Sequence, residues 1–250
     1  MSTYASFQGR VFLGKRDPAG LAIEVRSPGN VAELKLSLKT DVLEHFESQT
    51  GQRSLDHRMV KQKSATVNLT IEEFTKENLA LALYGNHVVG TPGTVTAEPI
   101  GGATPTPGDR YFLAHPKVSS LVVTDSAGTP TTLTLGTHYT ADVDFGAVQF
   151  LDTTGLTAPF KASYAYGIAT EIGIFTQALP ERYLRLEGIN TAQGNAKVLV
   201  ELYRVAFDPL KEISFISDEY NKFELEGSLL ADTTKPYDAV LGQFGRIVQL

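Results

Sequence analysis

The chain has 250 residues, 42% of them apolar, with 22 basic and 28 acidic side chains and a net charge of −6. That composition is globular and excludes a disordered chain, and the acidic balance argues against a conventional nucleic-acid binder, which needs a basic surface to neutralise phosphates. Cysteine is absent, which removes disulfides, thiolate zinc sites and cysteine nucleophiles together.

At the start of the chain, Met1-Ser2-Thr3-Tyr4 lacks the basic and apolar regions of a signal peptide, so synthesis in the cytoplasm is expected. No run of eighteen apolar residues occurs anywhere in the sequence, so no membrane-spanning helix is predicted. The first strong pattern lies at 33–40, where Leu34, Leu36 and Leu38 alternate with Glu33, Lys35, Ser37 and Lys39. It returns at 63–72, where Ala65, Val67, Leu69 and Ile71 alternate with Ser64, Thr66, Asn68 and Thr70. Period two with one apolar and one polar face predicts strands of an antiparallel sheet, packed on one side and wet on the other.

Between these strands lie the 22 residues 41–62. A loop of that length inside a compact domain is uncommon and usually functional. It mixes Asp41, Glu44, Glu47, Arg53, Asp56, Arg58 and Lys61 with the apolar Leu43, Phe46, Leu55 and Met59. A solvating loop has no use for those apolar residues, whereas a docking arm does. Extended, the arm would reach roughly 35 Å at about 3.3 Å per residue, and it is expected to order against another subunit.

One helix is predicted next. Thr75 is its N-cap, Phe74 and Leu79 form a hydrophobic staple, and Leu79, Ala82 and Leu83 make its apolar stripe. Gly85 supplies the left-handed stop. Residues 86–167 then change character, with 3 basic and 6 acidic side chains and 15 threonines. This block opens on a Gly/Pro/Thr-rich stretch from Gly90 to Gly108 that reads as a linker. Short β-prone runs follow at Val118–Thr124, Thr131–Leu135, His138–Asp142, Ala147–Leu151 and Phe160–Tyr166, which fit a small immunoglobulin-like sandwich. In the last part Val198, Val200 and Leu202 alternate with Lys197, Leu199, Glu201 and Tyr203, and Phe223, Leu225 and Gly227 alternate with Glu224, Glu226 and Ser228.

The expected architecture is therefore mainly β: a discontinuous domain over 1–88 and 167–250, with a small β-sandwich inserted at 89–166. Its long strands leave sheet edges that a ring of identical subunits could close into one barrel. The polar strand faces would then line a channel, and the candidates are Glu33, Lys35, Ser37, Ser64, Thr66, Asn68, Thr70, Glu224 and Glu226. No catalytic signature is present. The five histidines have no metal-ligand spacing, Asp144-Phe145-Gly146 lacks every companion of the kinase motif, and no nucleophile elbow or phosphate-cradling loop occurs. A non-enzymatic protein without cofactor or metal is expected.

These features together resemble the major tail tube proteins of long-tailed bacteriophages, of the kind carried by Mu-like siphophages. The residues that carry the resemblance are Leu34–Lys39, the arm from Thr40 to Arg53, Ala65–Ile71, Phe74–Gly85, and Val198–Val205 with Phe207–Glu212. The resemblance implies a tube domain that forms hexameric rings, an inner barrel, and stacking of rings through the long arm. It also implies a channel that holds the tape measure protein and later passes DNA, partners at the tube ends (tail terminator and distal tail proteins), and a place in the virion tail. The inserted block corresponds to a decoration domain. The alternative is a virion-surface carbohydrate-binding module, with Tyr111, Phe112, Tyr139 and Tyr164 as its aromatic platform.

Overall fold

The computed structural model describes residues 4–237 and 240–250. Along the chain run β1 (Phe7–Arg16), β2 (Ala22–Arg26), β3 (Val31–Phe46), β4 (Leu55–Ile71), the helix α1 (Lys76–Ala82) and β5 (His87–Val89). Then come β6 (Gly93–Ile100), β7 (Arg110–Phe112), β8 (Val118–Thr124), β9 (Tyr139–Asp142), β10 (Ala147–Phe150), β11 (Phe160–Tyr166) and β12 (Thr170–Ile172). The last strands are β13 (Glu181–Asn190), β14 (Ala196–Phe207), β15 (Phe223–Leu229) and β16 (Gly245–Gln249). The protein is mainly β, with several antiparallel sheets, and no helix among the described residues is long and apolar enough to cross a membrane.

The chain divides into two compact units. One joins the residues up to His87 with Ile172–Leu250, and the other spans Val88–Glu171. The first unit is an eight-stranded sheet in the order β2-β1-β13-β14-β15-β4-β3, with β16 paired to β14 beside this path. Its core forms where the inward positions of these strands converge: Val11 and Leu13, Leu184, Leu202 and Phe207, Leu225, and Val67, Leu69 and Ile71. β15 shows why the pattern works, since Phe223, Leu225, Gly227 and Leu229 are buried while Glu224 and Ser228 are exposed. Strands β1 and β13 were not singled out by the sequence pattern. Leu184 and Leu186 nevertheless alternate with Tyr183, Arg185 and Glu187, so a period-two signal is present there.

The helix packs on this core, with two corrections. Thr75 caps it, its hydroxyl accepting from the Asn78 amide at 3.2 Å, but the buried stripe is Asn78, Leu81 and Ala82 rather than Leu79, Ala82 and Leu83. The left-handed residue at its end is Tyr84, with φ 52°, and not Gly85. Gly85 serves another need. A Cβ there would lie 1.8 Å from the Gly173 carbonyl oxygen, so only glycine lets the two backbones approach. The Gly85 amide reaches back to Ala80 O at 2.8 Å and closes the helix.

The second unit holds two three-stranded sheets, β7-β10-β9 and β6-β11-β8. Ile100, Val123, Tyr139, Val148, Phe150 and Phe160 come from both sheets and form one core. Two expectations fail here. The stretch read as a linker contains β6, an edge strand that tolerates Pro99 because its free side needs no amide. Thr131–Leu135 is not a strand, and only isolated bridges at Thr132 and Leu135 touch it. Asp125 draws that segment instead, its carboxylate accepting from the Thr131 amide at 2.6 Å.

Candidate interaction surface

The hairpin β3–β4 stands at the edge of the large sheet, because β3 has β4 as its neighbour at the end of the strand order. The segment 41–62 is not a loop. The ladder continues through Asp41↔Gln62, Val42↔Val60, Leu43↔Met59, Glu44↔Arg58 and His45↔His57 to Phe46↔Leu55. Two irregularities, between Asp41 and Val42 and between His45 and Phe46, break the register on the way. Only residues 47–54 turn. Beyond the core the paired arm runs over 39–46 on β3 and 55–64 on β4, eight residues on β3, about 26 Å at roughly 3.3 Å each.

The arm is ordered by its own charges. Glu47 organises the turn, its carboxylate accepting from the amides of Gln49 at 2.8 Å and Thr50 at 2.9 Å and from the Thr50 hydroxyl. The Thr50 hydroxyl first, then those amides, hold the Glu47 carboxyl down to about 2. Gly51 and Arg53 take positive φ in the same turn, at 78° and 52°. Asp56 pairs with His45 at 2.6 Å, which lowers its carboxyl below the usual range. Arg58 reaches Glu44 at 3.5 Å and Lys39 reaches Asp41 at 3.6 Å. Lys61 is exposed in the middle of β4.

The apolar residues of the arm have no comparable cover. Leu43, Phe46, Leu55, Met59 and Val60 are each about half exposed. They are paired with one another across the ladder, as Leu43–Met59, Phe46–Leu55 and Val42–Val60. A two-stranded ribbon cannot bury such pairs by itself. Leu36 and Leu38, nearer the core, are exposed as well.

The polar candidates fall into aligned rows. The registers place Glu33, Thr70 and Glu224 side by side, then Lys35, Asn68 and Glu226, then Ser37, Thr66 and Ser228. Ser64 continues the face opposite Lys39. Lys35 bonds Glu33 at 2.8 Å, and this hydrogen bond raises its ammonium pKa. Lys211 pairs with Glu226. The face is not uniformly wet as alternation suggests, since Thr70 is buried and Asn68 Oδ1 is buried with no hydrogen-bond partner.

A second departure lies on β14. Glu201 falls on the polar side of the alternation, yet it is buried. β13 and β16 flank it and place Arg185 and Arg246 opposite it in register. Its carboxylate accepts from Arg246 Nε at 2.5 Å, from Arg185 at 3.4 Å, and from the Tyr183 hydroxyl. Burial pushes the Glu201 carboxyl up, but these partners outweigh it and the net shift is downward. Burial, and then the bond to Glu201, push Tyr183 up to about 12. Sequence alternation contained no sign of this cluster, because Arg246 is 45 residues away.

In the second unit, the four aromatics of the carbohydrate reading do not form an exposed platform. Tyr139 and Tyr164 are buried, Tyr111 is half-buried against Phe150, and only Phe112 is exposed. Among the described residues no three His, Asp or Glu side chains gather as a metal site.

Over residues 4–248 the chain matches the family described as Protein of unknown function UCP028589, and it belongs to that family. No curated protein matches it.

Proposed function

We propose that this chain is a structural virion protein that assembles with copies of itself into stacked hexameric rings, the tube of a long phage tail through which the genome is ejected. The observation that carries this reading is the β3–β4 arm. It is an ordered ribbon at a sheet edge, with half-exposed apolar pairs at Leu43–Met59 and Phe46–Leu55. Exposed apolar strips of this kind gain about 25 cal/mol for each Å² they bury in a contact. The arm therefore docks on a neighbouring ring, and the edge of the sheet joins a barrel shared between subunits.

In this reading Glu33, Lys35, Ser37, Ser64, Thr66, Glu224 and Glu226 line the channel, with Thr70 buried and Asn68 partly buried among them. The lining carries more acidic than basic charge, with Lys35 held by Glu33, which lets DNA pass without trapping its phosphates. The tape measure protein fills the channel before ejection, and terminator and distal tail proteins cap the tube. The insert Val88–Glu171 is decoration, an immunoglobulin-like sandwich that assembly does not require. Nothing in this role calls for a catalytic group or a cofactor.

Negative-stain microscopy of the purified protein tests the proposal. Tubes or six-fold rings are expected, and a strictly monomeric species at high concentration would refute it. Deleting residues 44–59 should abolish stacking while leaving a folded subunit, whereas replacing residues 90–166 with a short linker should leave tubes intact.

A further inference from the structure

A cleft of about 720 Å³ opens in the first unit, with Leu13, Arg16, Arg26, Leu81, Tyr84 and Arg182 among its walls. Most of its ionic groups are already paired. Lys15 holds Glu24 at 2.6 Å, Arg16 holds Asp232 at 2.7 Å, and Glu77 lies 3.8 Å from Lys76. Glu181 is gripped by Arg204 through two bonds of 2.6 and 2.8 Å. Two cations remain. The hydrogen bonds of Arg26 and Arg182 go to neutral oxygens, Asn78 Oδ1 at 2.7 Å and the Glu181 carbonyl at 2.9 Å. Neither guanidinium has a carboxylate within 4.0 Å among the described residues.

Arg26 is also held in place. Asn78 is fully buried, and its amide nitrogen donates to Pro28 O at 2.7 Å and Glu73 O at 2.9 Å. That leaves its oxygen aimed at Arg26 and fixes the guanidinium at the cleft wall. Burial lowers the pKa of both arginines. The Arg26 charge lowers that of Arg182 further, while Glu77 and Glu24 offset part of the effect. Two neighbouring guanidinium groups, partly stripped of water and facing one cleft, are costly unless an anion joins them.

We infer that Arg26 and Arg182 form an oxyanion site, which takes a carboxylate or phosphate group bridging the two guanidinium forks. Each fork presents paired N–H donors that match such an oxyanion. The inference does not depend on the tube reading, because both arginines and the cleft belong to one subunit.

Calorimetric titration of the full chain with inorganic phosphate, and separately with acetate, tests it at constant ionic strength set by chloride. Saturable binding of at least one anion is expected, weakened about tenfold or more by Arg182→Gln and by Arg26→Gln. Arg182→Lys keeps the charge without the fork and should fall between. Circular dichroism verifies that each variant is folded. Sedimentation in the same buffers separates the sources. Phosphate binding without a change in association state identifies a free anion as occupant, and phosphate that weakens self-association identifies a carboxylate of a second copy. No binding by wild type, or equal binding by wild type and all three variants, overturns the site.

Discussion

Leu38 stands directly across the ladder from Ala65, and the boundary of the hydrophobic core runs between them: Ala65 is 8% exposed and Leu38 77%. On one side β4 turns inward to Val67, Leu69 and Ile71, all fully buried. On the other the hairpin leaves the core as a free ribbon. The same period-two pattern thus serves folding at one end of the hairpin and stays exposed at the other.

This boundary has a direct consequence for stability. Leu69→Ala should cost about 2–5 kcal/mol, because it empties packed core volume. Leu38→Ala should change the stability of the subunit by no more than about 0.5 kcal/mol. Urea denaturation at a protein concentration low enough to prevent association measures both. A large loss for Leu38→Ala would mean that the monomer already covers this strip.

The turn of the arm should be unusually resistant to acid. The Glu47 carboxyl is lowered from 4.5 to about 2. Its contribution is therefore complete above the unfolded value and is lost as the pH falls through the folded one. The amide signals of Gln49 and Thr50 should hold their positions down to pH ~3 and move only near pH ~2. In Glu47→Gln that transition should vanish. A midpoint near the ordinary carboxylate value in the wild type would contradict the observed hydrogen bonds.

Glu201 should matter more than its place on a polar strand face suggests. Glu201→Ala leaves Arg185 and Arg246 facing each other across an empty position. Because both arginines keep contact with water, the expected loss is about 1–3 kcal/mol, below that of a fully buried pair. The same change should loosen β16. Hydrogen exchange at Ile247 and Val248 should accelerate more than exchange at Leu69. Equal acceleration at all three sites would show that the cluster does not tie down β16 in particular.

Gly85→Ala should destabilise the first unit by about 2 kcal/mol or more, since the new methyl group meets the Gly173 carbonyl, a backbone atom with little room to retreat. Thermal denaturation compared with Gly102→Ala, where a Cβ meets nothing within 4 Å but the φ of 60° is unfavourable, separates the clash from backbone strain. A smaller loss at Gly85 than at Gly102 would remove the close approach as the reason for this glycine.

How far the fold could be read depended on the range of the forces involved. β15 was legible because each side chain is sorted by its immediate neighbours, Phe223 and Leu225 inward and Glu224 outward. The Thr75 cap was legible for the same reason, as its hydroxyl meets an amide three residues on. The helix end was misplaced because Gly85 is required by Gly173, a contact made across the fold. The arm was misjudged because its strands have no core to mark them. Charged and apolar residues there follow the cross-strand pairs Glu44–Arg58 and Leu43–Met59, which exist only once the register is set.

The sequence by itself determined that this is a cysteine-free, mainly β chain with a long hairpin of mixed charged and apolar character, since alternation and composition are local properties. Only the tertiary structure decided which polar residues stay wet and which are buried. Thr70, Asn68 and Glu201 look alike in the alternation. The burial of Thr70, of Glu201 and of the Asn68 Oδ1, and the pairing of Glu201 with Arg185 and Arg246, arise from strands brought alongside from distant parts of the chain.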